Sequence, residues 1–340
     1  MLDRSDTRED GFAGKLAVVT GGGSGMGREL VRQLAAEGCA VATCDWNARA
    51  VGETAATART DAPENALVTG HTCDVSDEQQ VQRFRDELLQ RHSSDHVDLV
   101  FSNAGIGGAP SFVNSPRAEW ERTFGVNWWG VYYCARTFLP LLIASGDGVL
   151  VNTSSVNGFW ASVGPGAPNT AYASSKFAIR GFSEALIEDL RTNAPQVHVV
   201  VVMPGHVGTD IIANTWRAHG LGEPEEMSDA QLEELVPASA RARLIEAGAL
   251  PAGASSDDVR RLLTRMATDF REKAQLTAAE AATIILDGVR SGAWRILVGK
   301  DAETLDAVIR ADPEAAYDYP KLAKAAAELR AAVGDQGALG

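Results

Sequence analysis

Tyr172 and Lys176 stand four residues apart in the stretch Ala-Tyr-Ala-Ser-Ser-Lys-Phe-Ala that begins at Ala171. On a helix this spacing puts both side chains on one face, one turn apart. A free tyrosine has a pKa of about 10, too high for efficient proton transfer near neutrality. An ammonium group beside it favours the phenolate and is expected to lower that value. The pair is therefore a unit for acid–base chemistry on a hydroxyl or carbonyl oxygen. Tyr and Lys also meet at this spacing by chance, so the pair gains meaning only from its surroundings. Upstream, Ser154 and Ser155 close an apolar run. A hydroxyl at a strand's carboxyl end, where open α/β sheets bind ligands, can hydrogen-bond a reacting oxygen.

A second constellation lies near the start of the chain. An apolar run enters Thr20-Gly21-Gly22-Gly23-Ser24-Gly25-Met26-Gly27, and a helical pattern follows. Glycines permit a tight turn and close approach of backbone N–H groups to a ligand. The positive end of the next helix favours a pyrophosphate there. The spacing is Gly21-x-x-x-Gly25-x-Gly27, and Gly21, Ser24, Gly25, Met26 and Gly27 are the candidate contacts. Asp45 ends the second apolar run. A carboxylate there can accept hydrogen bonds from both adenosine ribose hydroxyls and repels a 2′-phosphate. The residue before Gly25 is Ser24 and the one after Asp45 is Trp46, neither of them basic, so the expected cofactor is NAD rather than NADP. Arg49 reads as a solvated helix charge.

These groups must be positioned by a scaffold. Apolar runs at 16–20, 40–44, 67–73, 97–101, 149–152, 197–203 and 295–298 alternate with segments of helical spacing such as 28–37 and 78–90. The rhythm predicts an α/β domain over 13–300: a Rossmann-like, doubly wound parallel sheet of about seven strands with helices on both faces. Near-continuous apolar runs fit strands buried on both sides. The rhythm lapses over 210–276, an Ala/Glu/Arg-rich stretch broken by Gly and Pro. It is expected to be a helical insertion before the last αβ unit, acting as a substrate lid. Residues 301–340 read as a helical tail, and 1–12 as a flexible leader without the apolar core of a signal peptide.

Composition narrows the function further. The 340 residues carry a formal net charge of −14. Such a chain is a poor ligand for phosphate backbones or anionic membranes. No run approaches the about 20 apolar residues needed to span a bilayer. Cys39, Cys44, Cys73 and Cys134 show no metal-binding spacing and suit a reduced compartment, so cytoplasmic localisation and no metal are expected. Trp128 and Trp129 read as helix packing, Phe159 and Trp160 as either pocket lining or loop packing, and residues 223–226 as a solvated loop.

Taken in order, the motifs resemble those of the short-chain dehydrogenase/reductase family, in the subgroup with T-G-x-x-x-G-x-G and Y-x-x-x-K. Cys73-Asp74-Val75 resembles its adenine-contacting segment, and Ser102-Asn103-Ala104-Gly105 its N-N-A-G strand end. Val126-Asn127 resembles its helix asparagine, Asn152-Thr153-Ser154-Ser155 its serine motif, and Pro204-Gly205-His206-Val207-Gly208-Thr209 its turn beside the nicotinamide. The resemblance covers 13–209 and resumes over 277–299. Two departures stand out: Ser102 replaces the first Asn, and the gap from Ser155 to Tyr172 is a few residues long, the excess falling in 163–169.

The resemblance implies a catalytic set of Asn127, Ser155, Tyr172 and Lys176. Tyr172 would act as acid/base, with Lys176 supporting it and holding the nicotinamide ribose. Ser155, rather than Ser154, would bind the substrate oxygen. Asn127 would hold a water linked to Lys176. Asp74, Val75, Asn103, Ala104, Gly105, Pro204, Gly205, Val207 and Thr209 would line the cofactor cleft. The activity implied is interconversion of a secondary alcohol and a ketone. Apolar residues near the site, including Ile211 and Ile212, suggest a hydrophobic substrate. Two other readings are a non-catalytic NAD-binding regulator or scaffold, disfavoured by the intact Tyr and Lys, and an epimerase or dehydratase, disfavoured by the loop spacing. A homo-oligomer, dimer or tetramer, through helices near 117–143 and 172–191 is also implied.

Overall fold

The structure, a computed structural model, describes residues 11–64, 66–165 and 167–336. Most of the predicted leader and the last four residues of the tail lie outside that range.

Strand β1 (Leu16–Thr20) passes through the glycine loop into α1 (Gly25–Ala36). Then β2 (Ala40–Asp45), α2 (Ala48–Asp61), β3 (Val68–Thr72), α3 (Glu78–His92) and β4 (Leu99–Ser102) alternate strictly. The next segment holds α4 (Arg117–Phe124), a π-helical turn (Gly125–Trp129) and α5 (Gly130–Ser145), so the predicted long helix is two helices joined by a wide turn. After it come β5 (Gly148–Thr153), α6 (Thr170–Asn193) and β6 (Val197–Pro204). The large sheet is parallel throughout, with seven strands in the order β3-β2-β1-β4-β5-β6 and finally β9 (Arg295–Val298). The order reverses between β1 and β4, the switch point where such sheets form a ligand crevice at their carboxyl ends.

Alternation along the strands builds two cores. Ala17 and Val19 face one side, where Leu30, Val31 and Leu34 of α1 pack with Ile285 and Leu286 of a later helix. Leu16 and Val18 face the other, under Val81, Phe84 and Leu88 of α3 and Phe138 and Leu142 of α5. Burial on both faces is why the strands read as unbroken apolar runs.

Between β6 and β9 the chain makes β7 (Val207–Gly208), α7 (Ile211–Ala218), α8 (Asp229–Leu235), α9 (Ala238–Glu246), α10 (Ser256–Glu272), β8 (Leu276–Thr277) and α11 (Ala278–Arg290). Ser228 and Ser255 start α8 and α10 with reciprocal capping boxes, which satisfy amides that a helix end leaves unpaired. The insertion has a core of its own around Trp216, Leu232, Val259 and Leu263. A two-residue ladder of β7 with β8, unforeseen from the sequence, ties its two ends together.

The tail is docked. Helix α12 (Lys300–Ala311) sends Asp306 to a largely buried ion pair with Arg295 of β9, and α13 (Tyr319–Gln336) follows. No helix among the described residues is long and apolar enough to cross a membrane.

A buried relay joins β3 to α3. His92 Nε2 bonds Thr69 Oγ1 at 2.8 Å, Thr69 Oγ1 bonds His71 Nε2 at 2.9 Å, and His71 Nδ1 faces Glu87 at 3.0 Å. Burial, aided by His71 and Arg91, pushes His92 down to about 4. In the unfolded chain it should titrate near 6.5. The unfolded state thus binds more protons between these values, and stability should fall as pH drops through that window. In urea titrations from pH 7 to about 4.5, His92→Gln should lose less stability than the parent protein. Equal losses would place the acid sensitivity elsewhere.

Candidate active site

The crevice at the switch point is built by backbone first. Gly21 has φ +69°, and a Cβ there would lie 2.8 Å from Ala104 Cα, so the end of β1 can press against the end of β4 only with glycine. A Cβ on Gly27 would lie 2.2 Å from Gly21 O, which explains the third glycine: it lets α1 close on the turn. Thr20 Oγ1 accepts from the Asn103 and Ala104 amides at 3.0 and 3.1 Å, and Asn103 Nδ2 donates to Thr20 O at 3.2 Å. Sequence reasoning gave Thr20 no role, yet it stitches the two strand ends together.

The resulting cleft has a volume of about 500 Å³ and runs from Asp45 to Tyr172. That falls within the usual range for ligand sites, about 300–1,000 Å³. Every predicted catalytic and cofactor residue lines it except Gly27, which lies behind the loop, and Asn127, which is buried.

At one end Asp45 Oδ2 accepts from Gly23 N at 3.0 Å and Oδ1 from Asn47 N at 2.9 Å. Burial raises its pKa, against the pull of these amides and of Arg28. A Cβ on Gly23 would meet this carboxylate at 2.8 Å, so the glycine leaves room for it beneath the loop. Asp74 behaves differently. Burial alone would raise it, but Ser76 and the Arg122 guanidinium at 2.8 Å bring it below the usual range.

At the other end α6 carries Tyr172 and Lys176. Lys176 Nζ donates to Thr153 O at 3.0 Å and lies 5.5 Å from the Tyr172 ring centroid. Burial pushes the lysine down to about 8. Burial also raises Tyr172, while a hydrogen bond with the Ser155 hydroxyl pulls it back. This differs from the expected lowering by the lysine: desolvation dominates, and the opposing pull comes from Ser155. Ser155 Oγ also accepts from Asn157 N at 3.1 Å, whereas Ser154 Oγ donates to Lys176 O at 2.8 Å and serves the scaffold.

Asn127 sits in the π-helical turn. Its side chain bonds both backbone groups of Ile106, at 2.9 Å each, and Ser175 Oγ at 3.0 Å. It therefore clamps the segment after β4 to the helix of Tyr172, and its Oδ1 flanks Gly105 as Lys176 Nζ does.

Other residues resolve as follows. Phe159 is buried with Val201 and Met203, and Trp160 Nε1 donates to Ala316 O at 2.7 Å, so both pack the loop rather than the cleft. Trp128 packs edge-on against Phe182. Ile211 lines the cleft, while Ile212 packs inside the insertion. His206 donates its backbone N–H to Asp301 at 2.7 Å and its ring meets Phe270 O at 2.7 Å. The insertion supplies lining residues that no motif announced: Asn214, Arg217, Glu223 and Phe270.

The short chain dehydrogenase family matches residues 15–220. The oxidoreductase named SadH of Mycobacterium tuberculosis is 30% identical over 300 residues, 88% of this chain and 91% of its own. Meso-2,3-butanediol dehydrogenase of Serratia marcescens is 30% identical over 73% of this chain and 89% of its own. A short-chain dehydrogenase/reductase from Burkholderia phymatum, solved with NAD, superposes with TM-score 0.69 and 27% identity over 89% of this chain and 95% of its own.

Proposed function

This chain belongs to the short-chain dehydrogenase/reductase family, and on that premise we propose that it is an NAD-dependent enzyme interconverting a secondary alcohol and a ketone. The observation that carries the reading is one cleft with Asp45 at one end and Ser155, Tyr172 and Lys176 at the other. NAD, when bound, supplies the hydride acceptor, and the protein supplies position and proton transfer. Tyr172 Oη removes the substrate hydroxyl proton. Ser155 Oγ holds the same oxygen, and Lys176, positively charged below about 8, stabilises the phenolate. Asn127 acts at one remove by fixing the Tyr172 helix.

The preference for NAD rests on Asp45. Solved relatives hold NAD in one case and NADP in another, so family membership leaves the choice to this residue. Purified protein should bind NADH more tightly than NADPH in a cofactor-fluorescence titration. Asp45→Ala should weaken NADH by about tenfold through loss of its ribose bonds and narrow the gap to NADPH. Equal affinities in the parent protein would defeat the NAD assignment.

The insertion acts as a lid, since Ile211 and Phe270 face the cleft from it. These residues and Ile106 favour an apolar substrate over a polyol. The tail braces the loop joining Ser155 to Tyr172: Tyr319 Oη bonds Ser162 Oγ at 2.8 Å and Tyr317 Oη accepts from Ala161 N at 3.3 Å. Tyr319→Phe should raise KM for the alcohol about threefold to tenfold while leaving NADH affinity alone, as expected for one lost hydrogen bond that holds the loop leading to Tyr172. We further infer a homo-oligomer through the helices around 117–143 and 172–191, a reading supported by the exposed aromatic side chains of Trp129 and Phe177 there.

A further inference from the structure

We propose that the insertion carries half of the pyrophosphate site: Asn214 and Arg217 on α7 close over the glycine loop and take the cofactor's bridging phosphates. The proposal rests on the dinucleotide reading above and adds residues outside every motif of the family.

Three observations lead to it. Ser24 occupies the N-cap of α1, yet its side chain makes no capping bond to that helix. Its hydroxyl instead accepts from Asn214 Nδ2 at 2.9 Å, across the cleft. Asn214 Oδ1 in turn accepts from Arg217 Nη1 at 2.7 Å, and Arg217 Nε donates to Glu223 at 2.6 Å. Serine, asparagine, arginine and glutamate thus form one hydrogen-bonded line from the phosphate loop to the insertion, and all four line the cleft.

Charge selects Arg217 for the role. A pyrophosphate brings two negative charges into a chain already at −14. Among the described residues, the other cations lining the cleft are committed or remote. Arg28 is bonded to Gly23 O and Thr54, and Arg122 to Asp74 and Ser76. Arg49 lies at the Asp45 end near Glu53, and Lys176 at the Tyr172 end on Thr153 O. Arg217 is linked through Asn214 to Ser24 at the amino end of α1, on a partly exposed side chain whose anionic partner is Glu223. Its partner Glu223 is a carboxylate that phosphate oxygens can replace, because a guanidinium fork fits both. Asn214 keeps a donor for the same anion once it leaves Ser24. Binding would then draw the insertion onto the loop, so that cofactor and lid close together.

The test uses the full chain and three probes: NADH, ADP and adenosine. Arg217→Met should weaken NADH and ADP about tenfold, the scale of one charge-assisted hydrogen bond, and leave adenosine unchanged. Asn214→Ala should give a smaller loss with the same pattern. Glu223→Gln should tighten NADH and ADP by releasing the arginine. Circular dichroism checks that each variant keeps the parent fold. NADH and ADP binding unaffected by Arg217→Met would overturn the proposal, as would equal weakening of adenosine. If the parent protein binds neither NADH nor ADP, the dinucleotide reading itself falls.

Discussion

Tyr172→Phe should lower kcat by about 10²- to 10⁴-fold, the range that a positioned general acid–base contributes. NADH affinity should stay near that of the parent protein, since the change removes one hydroxyl and keeps the ring that lines the cleft. The lost hydroxyl is the partner of Ser155 and, in the proposed mechanism, the atom that takes the substrate proton. Oxidation needs the phenolate, and burial holds Tyr172 above its ordinary value. The parent rate of alcohol oxidation should therefore climb with pH up to about 8, where Lys176 begins to lose its charge, and level off above it, and the variant's residual rate should lose that slope. Both readouts come from steady-state turnover of a secondary alcohol at saturating NAD across pH. Near-normal turnover in Tyr172→Phe would transfer the proton chemistry to another group, and the cleft would then be a binding site alone.

The sequence disclosed this site unevenly, and the reasons are physical. Gly21, Gly25 and Gly27 were legible because a Cβ at Gly21 or Gly27 would strike backbone and one at Gly25, where φ is +53°, would crowd Thr209, so the residue type itself records the geometry. Tyr172 and Lys176 were legible because helix periodicity alone fixes their common face. The seven strands were legible because burial on both faces forces apolar runs. What stayed hidden depends on contacts between residues far apart in the chain. Asn214 meets Ser24 across 190 positions, and Trp160 meets Ala316 across 156. Neither partner carries a local signal, since asparagine and serine are common on any surface. The β7–β8 ladder is two residues long and therefore below what a periodic pattern can register. The direction of the Tyr172 shift was misjudged for a related reason: spacing places the lysine, but only the folded surroundings show how strongly the phenol is desolvated.

Lys176→Met should abolish most turnover and yet make the protein more stable at neutral pH. Burial lowers Lys176 from 10.5 to about 8, and it donates to Thr153 O at 3.0 Å. In the unfolded chain the lysine keeps its ordinary value. At pH 7 both states are protonated, so the folded state holds a desolvated ammonium at a cost of about 3 kcal/mol, from 1.36 kcal/mol per unit of pKa difference. Between about 8 and 10.5 the unfolded chain binds more protons than the folded one, so stability rises with pH through that window and the penalty is gone above it. Methionine removes the charge and fills much of the same space. The lost bond to Thr153 O offsets about 1 kcal/mol, which leaves a net gain on the order of 2 kcal/mol at neutral pH. Thermal melts should show the variant several degrees above the parent at pH 7, with the gap closing as pH rises toward 10.5. A variant that melts below the parent at pH 7 would mean that the folded structure solvates the ammonium well, and the reason for a lysine at this position would have to be sought in packing. A stabilised but inactive variant would instead show an active-site group held in the fold at the expense of stability, as expected where a buried charge serves chemistry.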